Sequence, residues 1–450
     1  MRMTHRILSV LAVLWLLVGP VLAEPQERLS VDYIQFTLPN GLNVILHEDH
    51  TVPVVHTNLW YLVGSANEKP GRTGFAHLFE HLMFEGSGHV REGEFDTLLE
   101  GVGGNNNAST SQDRTNYYIS LPSNALELAL FLESDRMGHL LKSVSPDIVD
   151  GQRDVVKNEM RQSYLNRPYG KVWLELPGLL YPESHPYSWP VIGSMEDISA
   201  AGFKDVTDFF RTYYVPNNAS LVVAGDIDPV RTRALVEKWF SDVQSGAPVA
   251  PVSAPPVRLE EVRRKTLTDR VELPLGLLVW HTPAILTPGD AEMDLVASVL
   301  CGSKNSRLYR RLVHELQIAQ QVSASQLSQR LGSLFVIQFI PRPGHTLDEV
   351  QRVIDEELAL LHQEPPKRQE IDRALNGLEA AHLQAIERAS SKADQLNAYY
   401  MYTGNPDYFE EDLARYRAIS PEDLRSVVRR FLPADRRVEL YVIPEQEATR

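Results

Sequence analysis

The feature that most restricts how this chain can fold is a long internal repeat. Residues 203–226 read FKDVTDFFRTYYVPNNASLVVAGD, and residues 421–444 read PEDLRSVVRRFLPADRRVELYVIP. Both patterns predict an amphipathic helix, a turn at Pro216 or Pro433, and then a β-branched strand. Earlier in each copy, Pro53–Val63 (PVVHTNLWYLV) is matched by Val271–Trp280 (VELPLGLLVW). A helical stretch closing on Gly-Ser follows in both, at Gly74–Ser87 and Ala291–Ser303. One repeat of this length implies duplication of an α/β unit rather than a short-period solenoid. Between the copies, Ser245–Val257 (SGAPVAPVSAPPV) carries no charge and is rich in Pro and small residues, the composition of a semi-extended linker. The expected organisation is a first domain over 24–244, a linker over 245–257 and a second domain over 258–450.

Inside the first unit, Ile34–Leu38 and Leu42–Glu48 flank Pro39-Asn40-Gly41, a strong hairpin-turn signal. Helices are expected over Gly93–Glu100, Asn124–His139 and Pro146–Leu165, the last with Ser145 as N-cap and Pro146 in its first turn. Strands grouped in pairs, with helices set beside them, favour an α+β fold over a doubly wound sheet. The reading is two homologous domains, each a mainly antiparallel sheet with helices packed on one side.

A formal net charge of −15 argues against nucleic acid as a partner, because such binding leaves a basic footprint. Cys301 is the only cysteine, so no intramolecular disulfide can form, and its apolar neighbours make it a small buried hydrophobe. Residues 1–23 combine a basic start (Arg2, Arg6), an apolar run over Ile7–Val18 and small residues before a cut after Ala23. That pattern is a secretory signal peptide, too short in its apolar part for a comfortable membrane span. No later stretch is apolar and long enough to cross a bilayer, so the mature protein is expected to be exported and without a span.

Residues 74–86 read GFAHLFEHLMFEG. On a helix, His77 and His81 share one face and Glu80 borders it, while Phe75, Leu78, Phe79 and Leu82 supply packing. The pattern is H-x-x-E-H, the inverzincin arrangement of zinc ligands and base. A catalytic zinc needs a third protein ligand and keeps one position open. A carboxylate on the helix around Gln152–Leu165 would serve, and Glu159 is the candidate; on periodicity alone it reads equally as a solvent-facing glutamate.

His77-Leu78-Phe79-Glu80-His81 with Glu159 in VVKNEMRQSY resembles the zinc site of the pitrilysin and insulinase family, which includes the mitochondrial processing peptidases. A second likeness is Gly103-Gly104-Asn105-Asn106-Asn107-Ala108-Ser109-Thr110 followed by Thr115-Asn116-Tyr117-Tyr118. The resemblance spans nearly the whole chain after the signal segment. It implies a zinc endopeptidase acting on unfolded peptides, with one Zn²⁺ per chain on His77, His81 and Glu159. Glu80 would take a proton from water and pass it to the leaving amine. The Gly-rich turn would lead into an edge strand whose Asn107 and Ala108 hold the substrate backbone; without the family these two read as turn residues. Bacterial members make the periplasm the expected location. One departure is Gln152, which stands where the family often has a second glutamate.

The second copy offers Met293, Val296 and Ala297 where the first has its candidate ligands, so no second zinc site is expected. Active single-chain members of the family also carry an Arg and a Tyr after a stretch like Ser306-Arg307-Leu308-Tyr309. Here Val313 and Gln320 fall at those places, with Tyr309 and Arg311 as nearby substitutes. The resemblance supplies another arrangement, a heterodimer in which a homologous partner brings the Arg and Tyr. The competing reading is a non-catalytic peptide-binding or assembly subunit of the same fold.

Overall fold

The computed structural model describes residues 28–445; the expected signal segment lies outside them. Two sheets form. The first contains β1 (Ile34–Thr37), β2 (Asn43–Glu48), β3 (Val54–Tyr61), β4 (Asn105–Thr110), β5 (Thr115–Pro122) and β6 (Ala219–Gly225), in the order β1-β2-β6-β3-β5-β4. The second contains β7 (Arg263–Asp269), β8 (Leu275–Thr282), β9 (Ala319–Leu327), β10 (Ser333–Pro341) and β11 (Val438–Pro444), in the order β7-β11-β8-β10-β9.

The repeat is visible in this topology. Leaving out β1, the order β2-β6-β3-β5-β4 superimposes term by term on β7-β11-β8-β10-β9. The senses agree as well. β2 with β6 and β7 with β11 are the parallel pairs, and every other neighbour is antiparallel. Pro53–Val63 and Val271–Trp280, matched in sequence, supply the central strands β3 and β8. The two helix–turn–strand segments become the Phe203–Tyr213 helix with β6 and the Pro421–Phe431 helix with β11. Residues 244–262 between the sheets form neither helix nor strand. At the β1–β2 turn, Gly41 adopts φ 91°, and Asn40 Nδ2 donates to Phe240 O at 2.7 Å and Val243 O at 3.0 Å. That turn is thereby tied to the end of the first half.

Strand alternation splits each sheet into two buried faces. Val44, Leu46, Leu59, Tyr61, Tyr117, Ile119, Leu221 and Val223 join the core beneath the first half's own helices. The intervening Ile45, Val222 and Ala224 pack instead on Ala393, Leu396 and Tyr399, from the Ala389–Thr403 helix of the second half. The second sheet reciprocates. Leu278, Trp280, Phe335, Ile337 and Phe339 face its own helices, while Leu275, Leu277, Val279, Leu440 and Val442 pack on Val172, Leu176 and Leu180 of the first half's Val172–Leu180 helix. Each half therefore keeps its helices on one face and lends one helix to the other half's free face.

The exchange is also polar. Asp394 Oδ1, on the lent helix, accepts from Asn58 Nδ2 and Trp60 Nε1 at 3.1 Å and from Asn116 Nδ2 at 3.3 Å. Asn397 Nδ2 donates to Asn58 O at 2.9 Å, and Lys392 pairs with Asp49 at 2.6 Å. Fully burying Leu396 alone is worth about 1.5–3 kcal/mol.

Candidate metal centre

The helix carrying the motif is short, Phe75–Leu82, where the sequence pattern predicts a run to Ser87. Its start is tightly specified. Gly74 sits at φ 86°, where a Cβ would lie 2.7 Å from Ile192 O. Buried Glu68 then accepts from Gly74 N at 3.0 Å and Ala76 N at 2.8 Å, satisfying two of the helix's free amides, while burial raises its carboxyl to about 8. Leu78, Phe79 and Leu82 sink into the first core, which leaves His77, Glu80 and His81 together on the partly exposed side.

The second helix runs Pro146–Met160 with Ser145 Oγ capping Ile148 N, as the sequence predicts. It does not continue regularly to Leu165; residues 161–165 widen into a π-turn, a feature that recurs at functional sites. Glu159 lies in the last turn before that change. Its Oε2 stands 3.2 Å from His81 Nε2 and 3.6 Å from His77 Nε2, and the two imidazoles are nearly perpendicular, at 82° with centroids 4.9 Å apart.

These spacings test the donor set against zinc. A tetrahedral ion with legs of about 2.0–2.2 Å needs ligand–ligand edges of about 3.3–3.6 Å. The measured 3.2 and 3.6 Å span that edge length. Burial pushes His77 down to about 4, so its ring is neutral at pH 7 with a free lone pair. The hydrogen bond from His81 holds the Glu159 carboxyl below its ordinary value, so it is anionic. Two imidazole nitrogens and one carboxylate are ligand types that zinc selects. His77 Nδ1 has no hydrogen-bond partner among the described residues, so packing rather than a second bond orients that ring.

A second group, His89, Asp135 and His139, also brings potential ligand atoms within 4.8 Å of one another. There His89 Nδ1 and Asp135 Oδ1 are 2.5 Å apart, hydrogen-bonding distance and well short of the edge two ligands of one ion require. Asp135 also takes His89 N at 2.9 Å. This group is a hydrogen-bonded clasp of the loop after the motif helix.

Glu80 points along the same side as the histidines. Burial raises its carboxyl above the ordinary value, opposed chiefly by a hydrogen bond from Thr110 Oγ1 at 2.5 Å. Thr110 ends β4, the edge strand of the first sheet. In the sequence it closes the Gly-rich segment without a role; a hydroxyl at the end of a strand beside the motif is its only signal there. Asn107 is exposed on β4, Ala108 is buried, and Asn107 Oδ1 accepts from Ala108 N at 2.8 Å. Both residues are thus in a strand at the sheet's open edge rather than in a turn.

Gln152 reaches Glu85 rather than the histidines, donating from Nε2 to Oε1 at 2.6 Å. Met293, Val296 and Ala297 are buried in the second core. Val313 is buried there too, while Gln320 is exposed on β9. Arg311 is committed to Glu356 and Glu357, the latter at 2.8 Å, and Tyr309 packs on the second core with its ring against His314. Neither neighbour is free to act at the first half's site.

No helix among the described residues is long and apolar enough to cross a membrane. A model described as insulinase, peptidase family M16, matches residues 43–168, and one described as peptidase M16 inactive domain matches residues 201–378. The chain is 27% identical over 412 residues to zinc protease PqqE of Helicobacter pylori, covering 91% of this chain and 92% of that protein. It is 22% identical over 422 residues to the mitochondrial-processing peptidase subunit beta of Lentinula edodes, covering 88% and 86%. The crystal structure of a protease from Helicobacter pylori superimposes with a TM-score of 0.85 at 26% identity, over 92% of this chain and 100% of that one.

Proposed function

The chain belongs to the insulinase family, peptidase family M16, and from that premise we propose that it is an exported zinc-dependent endopeptidase of unfolded peptides. The observation that carries the reading is the meeting of His77, His81 and Glu159, with Glu159 Oε2 at 3.6 and 3.2 Å from the two Nε2 atoms and Glu80 beside them. When bound, zinc supplies Lewis-acid polarisation of a carbonyl and a lowered pKa for water. The rest is the work of the chain's own residues.

Glu80 is the proton carrier. Its raised carboxyl is matched to taking a proton from water and releasing it to a leaving amine, and Thr110 fixes the carboxylate's orientation. The same hydroxyl couples the base to β4. A peptide added to the open edge at Asn107 and Ala108 would extend the antiparallel sheet, binding through main-chain hydrogen bonds. Such binding demands an extended, unfolded segment and tolerates many sequences. Asn107 Oδ1, which now holds Ala108 N, would yield that amide to a substrate carbonyl.

The second half is the part that calls for a partner. With Val313 buried, Gln320 in place of a tyrosine and Arg311 paired to Glu356 and Glu357, the positions that the resemblance points to offer no free Arg and Tyr. We assign the chain as the zinc subunit of a heterodimer whose homologous partner supplies them, and the leader-like residues 1–23 favour the periplasm. The alternative, a non-catalytic peptide-binding subunit, is favoured by those same second-half substitutions. Zinc analysis with a peptide-library digest separates the two, run with and without a co-expressed homologue lacking the motif. The peptidase reading requires one zinc per chain and cleavage that Glu80→Gln abolishes. Equal cleavage by wild type and Glu80→Gln sinks it, and full activity of the lone chain sinks the partner.

A further inference from the structure

A cavity of about 670 Å³ opens where the two halves meet, lined by residues of both. Ser163 and Tyr164 line it, in the π-turn directly after Glu159, and so does Gln112, in the turn after β4. The cavity is therefore framed by the two segments that carry the third candidate ligand and the strand holding Glu80. Its walls are aromatic: Tyr164, Tyr169, Trp173, Tyr181 and Tyr187, over a floor from β8, β9 and β10. Among the described residues that line it, Arg167 is the only charged one.

The wall is closely built. Gly170 is required there, because a Cβ would lie 2.3 Å from Tyr164 O. Tyr169 holds φ 62°, a conformation that costs a non-glycine residue about 1–3 kcal/mol. Bonds from the second half keep it: Tyr169 N donates to Asp269 Oδ2 at 3.0 Å and its hydroxyl to Leu273 O at 2.9 Å. Trp173 is nevertheless 44% exposed, a large apolar surface left uncovered at the cavity. Two buried polar atoms of the lining also have no partner among the described residues, the Tyr181 hydroxyl and Gln329 Oε1. Buried polar groups are normally satisfied, so a donor and an acceptor left unpaired on residues of the lining suit a ligand with an apolar body and a polar tip.

We propose that this cavity is a specificity pocket for one aromatic side chain of the peptide, tyrosine or tryptophan in preference to phenylalanine, and that it rejects acidic side chains. The inference rests on the peptide-binding reading of the neighbouring site. Its volume leaves ample room for one aromatic ring, and its position after β4 lets a chain lying along that strand drop a side chain between the halves. An aromatic ring here would stack on Trp173 and Tyr164, with its polar tip toward Tyr181 and Gln329. A carboxylate would be stripped of water with Arg167 as its sole countercharge, at the exposed rim.

The test uses zinc-loaded full-length Glu80→Gln protein and a set of peptides that differ only in one residue, Tyr, Trp, Phe, Ala or Asp, on an otherwise neutral background. Binding is followed by calorimetry, and cleavage by wild-type protein is followed in parallel. Tyr and Trp peptides are expected to bind at least about tenfold more tightly than Ala, with Phe between them, and Asp weakest. Trp173→Ala is expected to erase the preference with the melting temperature unchanged, and Tyr181→Phe to erase only the margin of Tyr over Phe. Equal affinity across the set, or a preference that survives Trp173→Ala, overturns the pocket. If the wild type cleaves none of the peptides while the binding preference holds, the pocket stands and the peptidase reading fails. If it cleaves all of them with no preference in binding, the peptidase reading stands and the pocket fails.

Discussion

His56 makes the fold acid-labile by an amount that follows from its surroundings. It lies on β3 on the same face as Asn58 and Trp60, is 4% exposed, and bonds Ser120 Oγ through Nδ1 at 2.8 Å. Burial drives it from 6.5 to about 4. A histidine depressed in the folded state stays neutral while the unfolded chain protonates. Stability is therefore full above pH 6.5 and falls as pH drops from 6.5 towards 4. Linkage with those two values gives a loss of about 1 kcal/mol between pH 7.5 and 5.5, and about 2–3 kcal/mol by pH 4.5. The full gap corresponds to about 3 kcal/mol. His56→Gln keeps an amide near Ser120 and removes the titration. Urea unfolding of both proteins at pH 7.5, 5.5 and 4.5 isolates the effect, because His77 and His281, depressed in the same direction, cancel in the comparison. The variant should lose less stability than wild type by the amounts above. Parallel stability–pH curves for the two proteins would refute the argument that a buried, neutral His56 contributes.

Glu159→Ala should remove bound zinc after dialysis at pH 7.5, and should abolish any zinc-dependent rise in melting temperature that the wild type shows; metal analysis and thermal scans read both. Thr110→Val should leave zinc content unchanged. It should move the acid limb of kcat/KM to higher pH, because the lost hydrogen bond is one that holds Glu80 down. Leu396→Ala, at a fully buried position on the lent helix, should cost about 2–5 kcal/mol by urea unfolding, with peptide affinity measured below the transition unchanged.

Much of this molecule is legible in the sequence, for physical reasons that differ by element. The repeat is readable because both copies keep the same alternation at β3 and β8 and the same helix–turn–strand at their ends. His77, Glu80 and His81 are readable because helical spacing alone puts them on one side. Glu159 is only a candidate until the resemblance singles it out, since nothing local says that a helix turn faces a partner far along the chain. Three features are not legible. The motif helix stops at Leu82 rather than Ser87, because its downstream residues instead form the turn and loop held by Asp135 and Ser143. The π-turn after Met160 leaves no mark in periodicity, so Pro146–Leu165 reads as one helix. The exchange of helices between halves is invisible for a different reason. Ala389–Thr403 is not strongly one-sided in sequence, since Asp394, Asn397 and Lys392 lie among its buried contacts and satisfy polar groups of the other half.

The borrowed helices bear on how anything enters. Prising the two halves of one chain apart would strip Ala393, Leu396 and Tyr399 from one sheet and Val172, Leu176 and Leu180 from the other, wetting both greasy undersides at once. The proline-rich connector thus joins parts that are already bolted together, and it cannot serve as a swivel. On the peptidase reading, a polypeptide would then enter along the open rim of the first sheet, or between this molecule and the proposed partner, rather than between the halves.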